Sequence, residues 1–190
     1  MKKNWPKTAA IHPPIEVLNQ CFVYEPKTGK VFWSTDRPVT HFASIKYYRN
    51  WKTKCAGKEV HTPPTYLPEL NVKISGVAYK MRRSVGCWAL HHGRWPDKFV
   101  DHKNGDKRDD RISNLRLASF AENVRSGKMH KDNKSGFKGV FFAKHAKKFA
   151  AQIHIGNKRT HLGYFNDPEE AHLAYVSASK HSFGRFARSA

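Results

Sequence analysis

The segment from Val100 to Asn123 constrains the fold more than any other part of the sequence. Residues 100–102 have the character of a short strand, and the Asn-Gly-Asp sequence at 104–106 favours the positive φ angles of a turn. Residues 114–118, Asn-Leu-Arg-Leu-Ala, predict a second short strand. We therefore expect two short strands joined by a loop.

A capping-box sequence follows the second strand. Ser119 precedes Glu122 by three residues, the spacing at which the two residues cap each other at a helix N-terminus. A helix that begins here places Asn123 about one turn inside it. The polar residues of this strand, loop, strand and helix are Asp101, His102, Asn114 and Asn123.

The pair Asp101-His102 joins a hard oxygen ligand to a titratable base. Neighbouring side chains on a strand point to opposite faces, but at a strand end they can flank one reaction centre from two sides. A carboxylate together with an amide oxygen suits Mg²⁺. An Asp-His pair alone is more often part of a solvated turn, so the interpretation depends on the whole ordered set.

That ordered set resembles the HNH, or ββα-metal, nucleases, specifically the phage and intron-encoded homing branch. The matching residues are Asp101-His102, Asn104-Gly105-Asp106, Asp110-Arg111, Asn114-Leu115-Arg116 and Glu122-Asn123. The resemblance implies a DNA endonuclease in which His102 is the general base and Asn114 braces the loop. It also implies that Asp101 and Asn123 hold Mg²⁺ or Mn²⁺.

The chain departs from the family pattern at two places. Asp110 stands where the family often has Asn, which leaves the hydrogen bonding of the loop open. Asp109 and Asp110 are interpreted as partners of Arg108 and Arg111 rather than as extra metal ligands. Arg82 replaces a usual His near the start of a predicted helix.

The charge balance indicates a polyanionic partner. The chain has 35 Lys and Arg against 15 Asp and Glu, a net charge of +20. Nucleic acid is the first interpretation, with double-stranded DNA as the expected partner, and an anionic membrane is the second. Neither a run of transmembrane length nor a signal peptide is present, so we expect no membrane association and a cytoplasmic protein.

The cysteines point to neither zinc nor a disulfide framework. Cys21, Cys55 and Cys87 are far apart and form no Cys-x-x-Cys pair. This usage fits a reducing cytoplasm. We expect no structural zinc and no small-molecule cofactor.

The region before the nuclease-like segment divides into an arm and several short elements. Residues 1–14 are predicted to be a flexible arm, and hairpins are predicted at 22–33 and 69–80. A helix is predicted at 81–92 from its apolar spacing. The Tyr-x-Pro-x-Thr-Gly-x-x-x-Trp block at 24–33 resembles the N-terminal part of phage HNH proteins, and Gly93-Arg94-Trp95-Pro96 matches the family pattern.

Residues 34–66 have little pattern. Within them, 46–52 mix aromatics with cations, which can stack bases and neutralise phosphates. A wet loop with partly buried aromatics is the slightly favoured alternative. Candidate phosphate contacts elsewhere in this part of the chain are Arg82, Arg83 and Arg116, and ordinary surface charges are an equal alternative for Arg82 and Arg83.

The C-terminal part predicts a small sheet with one helix. Strands are predicted at 137–142, 149–155 and 158–164, and Asp167-Pro168 predicts a capped helix start. The pattern resembles the AP2 DNA-binding domain, on the residues Gly136 to Val140, Phe149 to Ile153, Leu162 to Phe165, Glu169 to Ala171, and Ala174-Tyr175. The resemblance implies DNA-facing positions at Lys138, Gln152, His154, Arg159 and His161. Lys148 and Lys158, from the same predicted sheet, are further candidate DNA contacts. Phe141 and His161 differ from the plant members, so the plant recognition sequence does not transfer.

These observations predict an α+β protein with four segments: the arm, an HNH nuclease domain at 15–127, a linker at 128–136 and an AP2-type domain at 137–190. The HNH part is expected to be a β-hairpin-rich region leading into a ββα-metal motif. The AP2-type part is expected to be a three-stranded antiparallel sheet on one helix. The predicted function is metal-dependent DNA cleavage.

The alternatives are a non-catalytic DNA-binding protein on a nuclease-like scaffold, an RNA-binding protein, and a C-terminal module that only packs or dimerises. Target site, nicking or double cleavage, monomer or homodimer, and biological role stay open.

Overall fold

The computed structural model describes residues 12–63, 66–125, 127, 129, 132–156 and 158–187. Contacts divide the chain into two compact units, an N-terminal unit up to Leu117 and a C-terminal unit from Ala118 onward. The predicted domain boundaries remain a prediction, and residues 1–11 of the predicted arm lie outside the described residues. None of the helices in the described ranges has the length and hydropathy of a membrane span.

Short helices and paired strands make up the N-terminal unit. In chain order the elements are α1 (Ile15–Cys21), β1 (Phe22–Glu25), β2 (Lys30–Trp33), α2 (Ile45–Lys54), β3 (Glu69–Ile74), β4 (Val77–Arg82), α3 (Arg83–His92), β5 (Phe99–His102) and β6 (Leu115–Ala118). Single 3₁₀ turns lie at Val39–His41 and Ile112–Asn114. The strand pairs are β1–β2, β3–β4 and β5–β6.

Both predicted N-terminal hairpins are present. β1 and β2 are antiparallel, with Phe22 opposite Trp33. β3 and β4 are antiparallel around Ser75-Gly76, with Leu70 opposite Met81. The predicted start of the following helix was wrong by two residues, because Met81 continues the strand ladder and α3 begins at Arg83.

The helix α2 was not predicted. It occupies ten residues of the segment that lacked a pattern, and none of its side chains is buried. Tyr48 and Trp51, three residues apart, are half-buried, and the other eight side chains of the helix are exposed. The alternative of a wet loop is therefore wrong for residues 46–52.

The core of the N-terminal unit joins α1, α3 and the first two hairpins. Its fully buried side chains include Leu18, Cys21, Leu70 and Cys87. Gly86 lets α3 approach the β3 strand closely, since a Cβ atom there would lie 2.5 Å from Cδ1 of Leu70. This packing fixes the start of α3, which supplies one residue of the candidate site.

A three-stranded antiparallel sheet forms most of the C-terminal unit. Its elements are α4 (Phe120–Arg125), β7 (Val140–Ala143), β8 (Lys148–Ile155), β9 (Lys158–Phe165) and α5 (Pro168–Phe183), followed by a 3₁₀ turn at Gly184–Phe186. The strand order is β7–β8–β9. The predicted helix cap is confirmed, because the Asp167 side chain accepts hydrogen bonds from the backbone N–H groups of Glu169 and Glu170.

The helix α5 packs on the sheet through small residues. Val140, Ala151 and Ala171 are the buried centre of the contact. Gly139 has φ +77° and lies under the ring of Tyr175, where a Cβ atom would come within 2.1 Å of a ring carbon. Only glycine satisfies both conditions at this position.

Candidate active site

The loop between β5 and β6 is organised by the side chain of Asn114. Its Oδ1 accepts a hydrogen bond from the Asn104 backbone N–H at 3.0 Å. Its Nδ2 donates to Asn104 Oδ1 at 2.9 Å and to the Asp109 carbonyl at 2.7 Å. Asn114 is 7% exposed, so these bonds are shielded from water. One amide side chain therefore ties together two distant points of the loop.

His102 lies at the end of β5 and is held by a carboxylate from this loop. Its Nε2 is 2.8 Å from Oδ1 of Asp110. The other oxygen of Asp110, Oδ2, accepts a hydrogen bond from Arg83 Nε at 2.6 Å. Asp110 is only 1% exposed, so its charge is balanced inside the unit by Arg83 at the start of α3.

The partners of Asp110 define which nitrogen of His102 carries the proton. A carboxylate paired with an arginine is an acceptor only, so Nε2 of a neutral His102 donates to it. The lone pair then resides on Nδ1. Among the described residues, none is hydrogen-bonded to this Nδ1, and about 10% of the side chain remains exposed.

The β1–β2 hairpin clamps the backbone that carries Asp110. The Tyr24 hydroxyl donates to the Asp110 carbonyl at 2.7 Å, and the Ile112 N–H donates to the Pro26 carbonyl at 3.1 Å. Gly29, with φ +77°, lies so close that a Cβ atom would be 2.6 Å from the backbone nitrogen of Arg111. The Tyr-x-Pro-x-Thr-Gly block thus supplies three contacts to one short stretch of loop.

Burial raises the pKa of Tyr24 well above its ordinary value, and the nearby Cys87, Asp110 and Asp109 add to the effect. A phenol is already protonated at neutral pH, and the raised pKa keeps Tyr24 protonated at alkaline pH as well. It can then act as a permanent donor to the Asp110 carbonyl.

The pairing of the loop carboxylates was predicted only in part. Asp109 binds Arg111 through two hydrogen bonds of 2.7 Å, as expected. The hydrogen bonds from Arg111 lower the pKa of Asp109 to about 2. The prediction was wrong for Asp110, because its partners come from α3 and β5 and not from the adjacent arginines.

Asp101 stands beside His102 on β5 and is held by Arg116 from β6. Nε and Nη2 of Arg116 lie 2.9 and 2.8 Å from Asp101 Oδ2. Both side chains are largely shielded, at 12% exposure for Asp101 and 11% for Arg116. The carboxylate is therefore fixed in orientation, and its hard oxygens have the chemistry that Mg²⁺ prefers.

Asn123 lies in the helix α4, whose start is capped as predicted. The Ser119 N–H donates to Glu122 Oε2 at 2.7 Å, and the Glu122 N–H donates to Ser119 Oγ at 3.3 Å. Asn123 belongs to the C-terminal unit and Asp101 to the N-terminal unit. Their joint binding of a metal ion stays a prediction. Within the described ranges, no three residues of the types His, Cys, Asp and Glu form a metal-sized group.

The candidate DNA contacts near the site have protein partners. Arg83 is committed to Asp110, and its Nη2 also donates to the Arg108 carbonyl at 3.1 Å. Arg82 is exposed and lies 3.5 Å from Glu69. The DNA-binding roles of Arg82, Arg83 and Arg116 stay predictions, and a structural role for Arg83 is evident.

The outer face of the C-terminal sheet gathers four of the predicted DNA-facing residues. Gln152 is opposite His161, and His154 is opposite Arg159, so all four side chains share the face turned away from α5. Lys148 joins them because it alternates with Phe149, which packs toward α5.

The two remaining predicted positions are placed differently. Lys158 alternates with Arg159 and points to the opposite face. Lys138 lies outside the strands, and its Nζ donates to the Gly127 carbonyl at 2.7 Å. The DNA-facing roles of both lysines stay predictions.

Comparison with known proteins agrees with the geometry. Residues 85–125 match a protein family described as HNH endonuclease. This segment contains His102, Asp110, Asn114 and Asn123, but neither Arg83 nor the β1–β2 hairpin.

A curated relative, Protein 3.8 of Escherichia phage T7, is 38% identical over 64 residues, which are 33% of this chain and 53% of the phage protein. The match thus spans about half the length of that relative. No solved structure gives a significant match. Residues 85–125 are therefore similar to HNH endonucleases.

Proposed function

We propose that the protein is a metal-dependent DNA endonuclease that uses His102 as its general base. One observation carries the proposal: His102 Nε2 lies 2.8 Å from the Asp110 carboxylate, and because a carboxylate is an acceptor, this contact favours the tautomer that leaves the Nδ1 lone pair for an incoming water. A general base needs this arrangement of a fixed ring and a defined tautomer. The HNH match over the same residues supports the reaction class.

The reaction is hydrolysis of a phosphodiester. A water molecule attacks phosphorus in line with the departing 3′ oxygen, and its proton passes to Nδ1 of His102. The P–O3′ bond breaks and the departing 3′ oxygen takes up a proton from solvent, so the products carry a 5′ phosphate and a 3′ hydroxyl. Asp110 and Arg83 hold the ring while it gains charge, and Asn114 holds the loop that supplies Asp110.

Asp101 and Asn123 are proposed to hold the divalent metal, Mg²⁺ or Mn²⁺. One carboxylate and one amide oxygen fit a hard cation that keeps several waters. When bound, the ion supplies Lewis-acid stabilisation of the charge that develops on the phosphate. Arg116 holds the Asp101 carboxylate in a fixed orientation.

The C-terminal unit is proposed to be an AP2-type module that directs the nuclease to double-stranded DNA. The support is its outer sheet face, which presents Gln152, His154, Arg159 and His161 together. A sheet face of this kind can enter the major groove and contact base edges. A single active site cuts one strand at a time, so a monomer is proposed to nick and a homodimer to cut both strands. A homing-type role in a phage-infected cell is the proposed setting, with host cytoplasm as the place of action.

Plasmid nicking tests the proposal directly. We expect the wild type to convert supercoiled plasmid to open circles with Mg²⁺, and His102→Ala to be slower by about 10² to 10⁴-fold. His61→Ala, at an exposed histidine outside the loop, is the matched control and is expected to cut normally. Equal nicking by wild type and His102→Ala would remove His102 from the mechanism.

One observation favours a second candidate, a non-catalytic DNA-binding protein. The predicted metal carboxylate Asp101 is engaged by Arg116 at 2.8 Å, which would suit a site that has lost its ion. Absence of cleavage by the wild type on plasmid, phage and host DNA, together with tight DNA binding, would favour this candidate. Preference for RNA over duplex DNA at matched salt would instead favour an RNA-binding function.

A further inference from the structure

The helix α2 presents an outward face made only of polar side chains that can donate hydrogen bonds. Lys46, Arg49, Asn50 and Thr53 are spaced i, i+3, i+4 and i+7, so they lie on one side of the helix. All four are exposed. Tyr47, at 64% exposure, and Ile45, at 52%, flank this face. This surface is separate from the residues that hold His102.

The charge on α2 has one sign. Its ten residues contain no acid, and its cations are Lys46, Arg49, Lys52 and Lys54. In the part of the chain that the structure describes, no carboxylate oxygen lies within 4.0 Å of any of these four cations.

This charge pattern opposes the stability of the helix. Lys46, Arg49 and Lys52 repel one another at i, i+3 spacing. Lys46 also lies in the first turn, where the helix dipole disfavours a cation. Lys52 is partly compensated, because its Nζ donates to the Tyr48 hydroxyl at 3.2 Å and it lies in the last turn of the helix. No carboxylate of the described residues lies within 4.0 Å of Lys46 or Arg49, and a bound polyanion would relieve their repulsion.

The helix is nevertheless firmly mounted. Trp51 packs between Trp33 and Phe42, at ring-centroid distances of 6.0 and 5.2 Å. The guanidinium of Arg37 lies 5.1 Å from the Trp51 ring and 4.3 Å from the Phe42 ring. The Ser44 side chain accepts from the Tyr47 N–H and caps the helix. A fixed helix with a free cationic face pays little ordering entropy on binding.

We propose that α2 is a second DNA-binding element, whose outward face contacts phosphates of duplex DNA. Lys46 and Arg49 supply the charge, and Asn50 supplies a neutral donor beside them, while Thr53 Oγ1 donates to the Arg49 carbonyl at 3.1 Å within the helix. The choice of duplex DNA as partner rests on the proposed function, while the existence of the binding surface rests on the helix itself. A membrane surface is disfavoured because a helix that lies on a bilayer needs a continuous apolar face, and the outward face of α2 carries Lys46, Arg49, Asn50 and Thr53 instead.

Salt-dependent binding tests the proposal without any need for cleavage. The affinity of full-length protein for a labelled duplex is measured by fluorescence anisotropy from about 0.05 to 0.3 M salt, with EDTA and in a His102→Ala background. Loss of two phosphate contacts is expected to reduce the slope of log K against log salt by about 1.8, since each contact contributes about 0.9. At 0.1 M salt this corresponds to about a 60-fold weaker affinity for Lys46→Gln with Arg49→Gln.

Two control variants separate local contact from total charge. Lys73→Gln with Lys180→Gln removes the same charge from exposed positions on β3 and α5 and is expected to change the slope much less. Lys46→Arg with Arg49→Lys keeps the charge of α2 and is expected to restore binding. Equal losses in the two neutralised variants would overturn the proposal, as would a selective loss of binding to single-stranded RNA.

This design keeps the two hypotheses distinct. If neutralisation of Lys46 and Arg49 weakens DNA binding as expected, but the wild type never cleaves DNA, the nuclease proposal is contradicted and the binding surface is not. Normal cleavage with unchanged binding after neutralisation of Lys46 and Arg49 would contradict the binding surface but not the nuclease.

Discussion

Nε2 of His102 and Oδ1 of Asp110 lie 2.8 Å apart in a shielded position, and Arg83 completes the arrangement from the opposite side of the carboxylate. The sequence pattern of the family often has an amide at position 110. The carboxylate changes what the loop can do, because it fixes the tautomer of the imidazole as well as its orientation.

Asp110→Asn is expected to slow DNA cleavage by about 10- to 100-fold or more, because an amide can turn its NH₂ group to Nε2 and favour the wrong tautomer. ¹⁵N NMR of His102 without metal reports the tautomer independently of activity. We expect the wild type to show the proton on Nε2 and the variant to show a mixture. An unchanged tautomer together with unchanged cleavage would contradict the positioning role of Asp110.

Asp110→Ala is expected to be strongly destabilising, by roughly 3–5 kcal/mol, since it leaves the shielded guanidinium of Arg83 without its carboxylate partner. Urea unfolding measures this difference. The double variant Asp110→Ala with Arg83→Met is expected to recover much of the loss in stability but none of the cleavage. Recovery of cleavage as well would show that Asp110 matters only for folding.

Gly29→Ala is expected to destabilise the protein by about 1–3 kcal/mol and to reduce cleavage, because the new methyl group meets the Arg111 backbone nitrogen and the φ angle is +77°. Gly76→Ala is the matched control, since it lies in another hairpin turn at φ +90° with open space around it. That control should lose stability only through its backbone angle and should cut DNA normally. Similar effects on cleavage in the two variants would contradict the hairpin clamp.

Ser119→Ala is expected to weaken α4 by about 1 kcal/mol through loss of its cap. If Asn123 binds metal, this loss should also raise the Mg²⁺ concentration needed for half-maximal cleavage. Ser177→Ala, at an exposed position of α5, is the control and should leave both quantities unchanged. If Ser119→Ala loosens the start of α4 but leaves the Mg²⁺ concentration for half-maximal cleavage unchanged, Asn123 is not a metal ligand.

The lowered pKa of Asp109 predicts how the stability of the folded protein changes in acid. Its folded pKa of about 2 is below the ordinary value of 3.8, so its contribution to stability is present above about pH 4 and is lost as the pH falls toward 2. The difference in urea midpoint between wild type and Asp109→Asn should therefore shrink across this window. A difference that stays constant from pH 5 to pH 2 would contradict the pairing of Asp109 with Arg111.

Local patterns predicted the elements that depend on neighbouring residues. The Ser119–Glu122 capping box and the Asp167-Pro168 helix start need only residues within one turn, and both are present. The Ser75-Gly76 hairpin turn is also local. In each case the sequence itself contains both partners of the stabilising contact.

Contacts across long sequence distances could not be predicted in the same way. Asp110 has Arg111 as its neighbour, which suggested a local ion pair, but its partners are Arg83, 27 residues earlier, and His102. The helix α2 escaped prediction for a related reason, since its anchoring contacts join Trp51 to Trp33 and Phe42, which lie outside the helix.

The clamp of Tyr24, Pro26 and Gly29 on the Asp110 backbone limits how this chain can be dissected. The family signature occupies residues 85–125, whereas the clamp lies some sixty residues upstream and Arg83 lies just before the signature. Residues 85–125 placed alone in another scaffold would keep the whole matched sequence. They would still lack the hairpin contacts and the Arg83 side chain that hold Asp110 against the imidazole of His102. An engineered chimera should therefore include the upstream hairpin together with the matched segment.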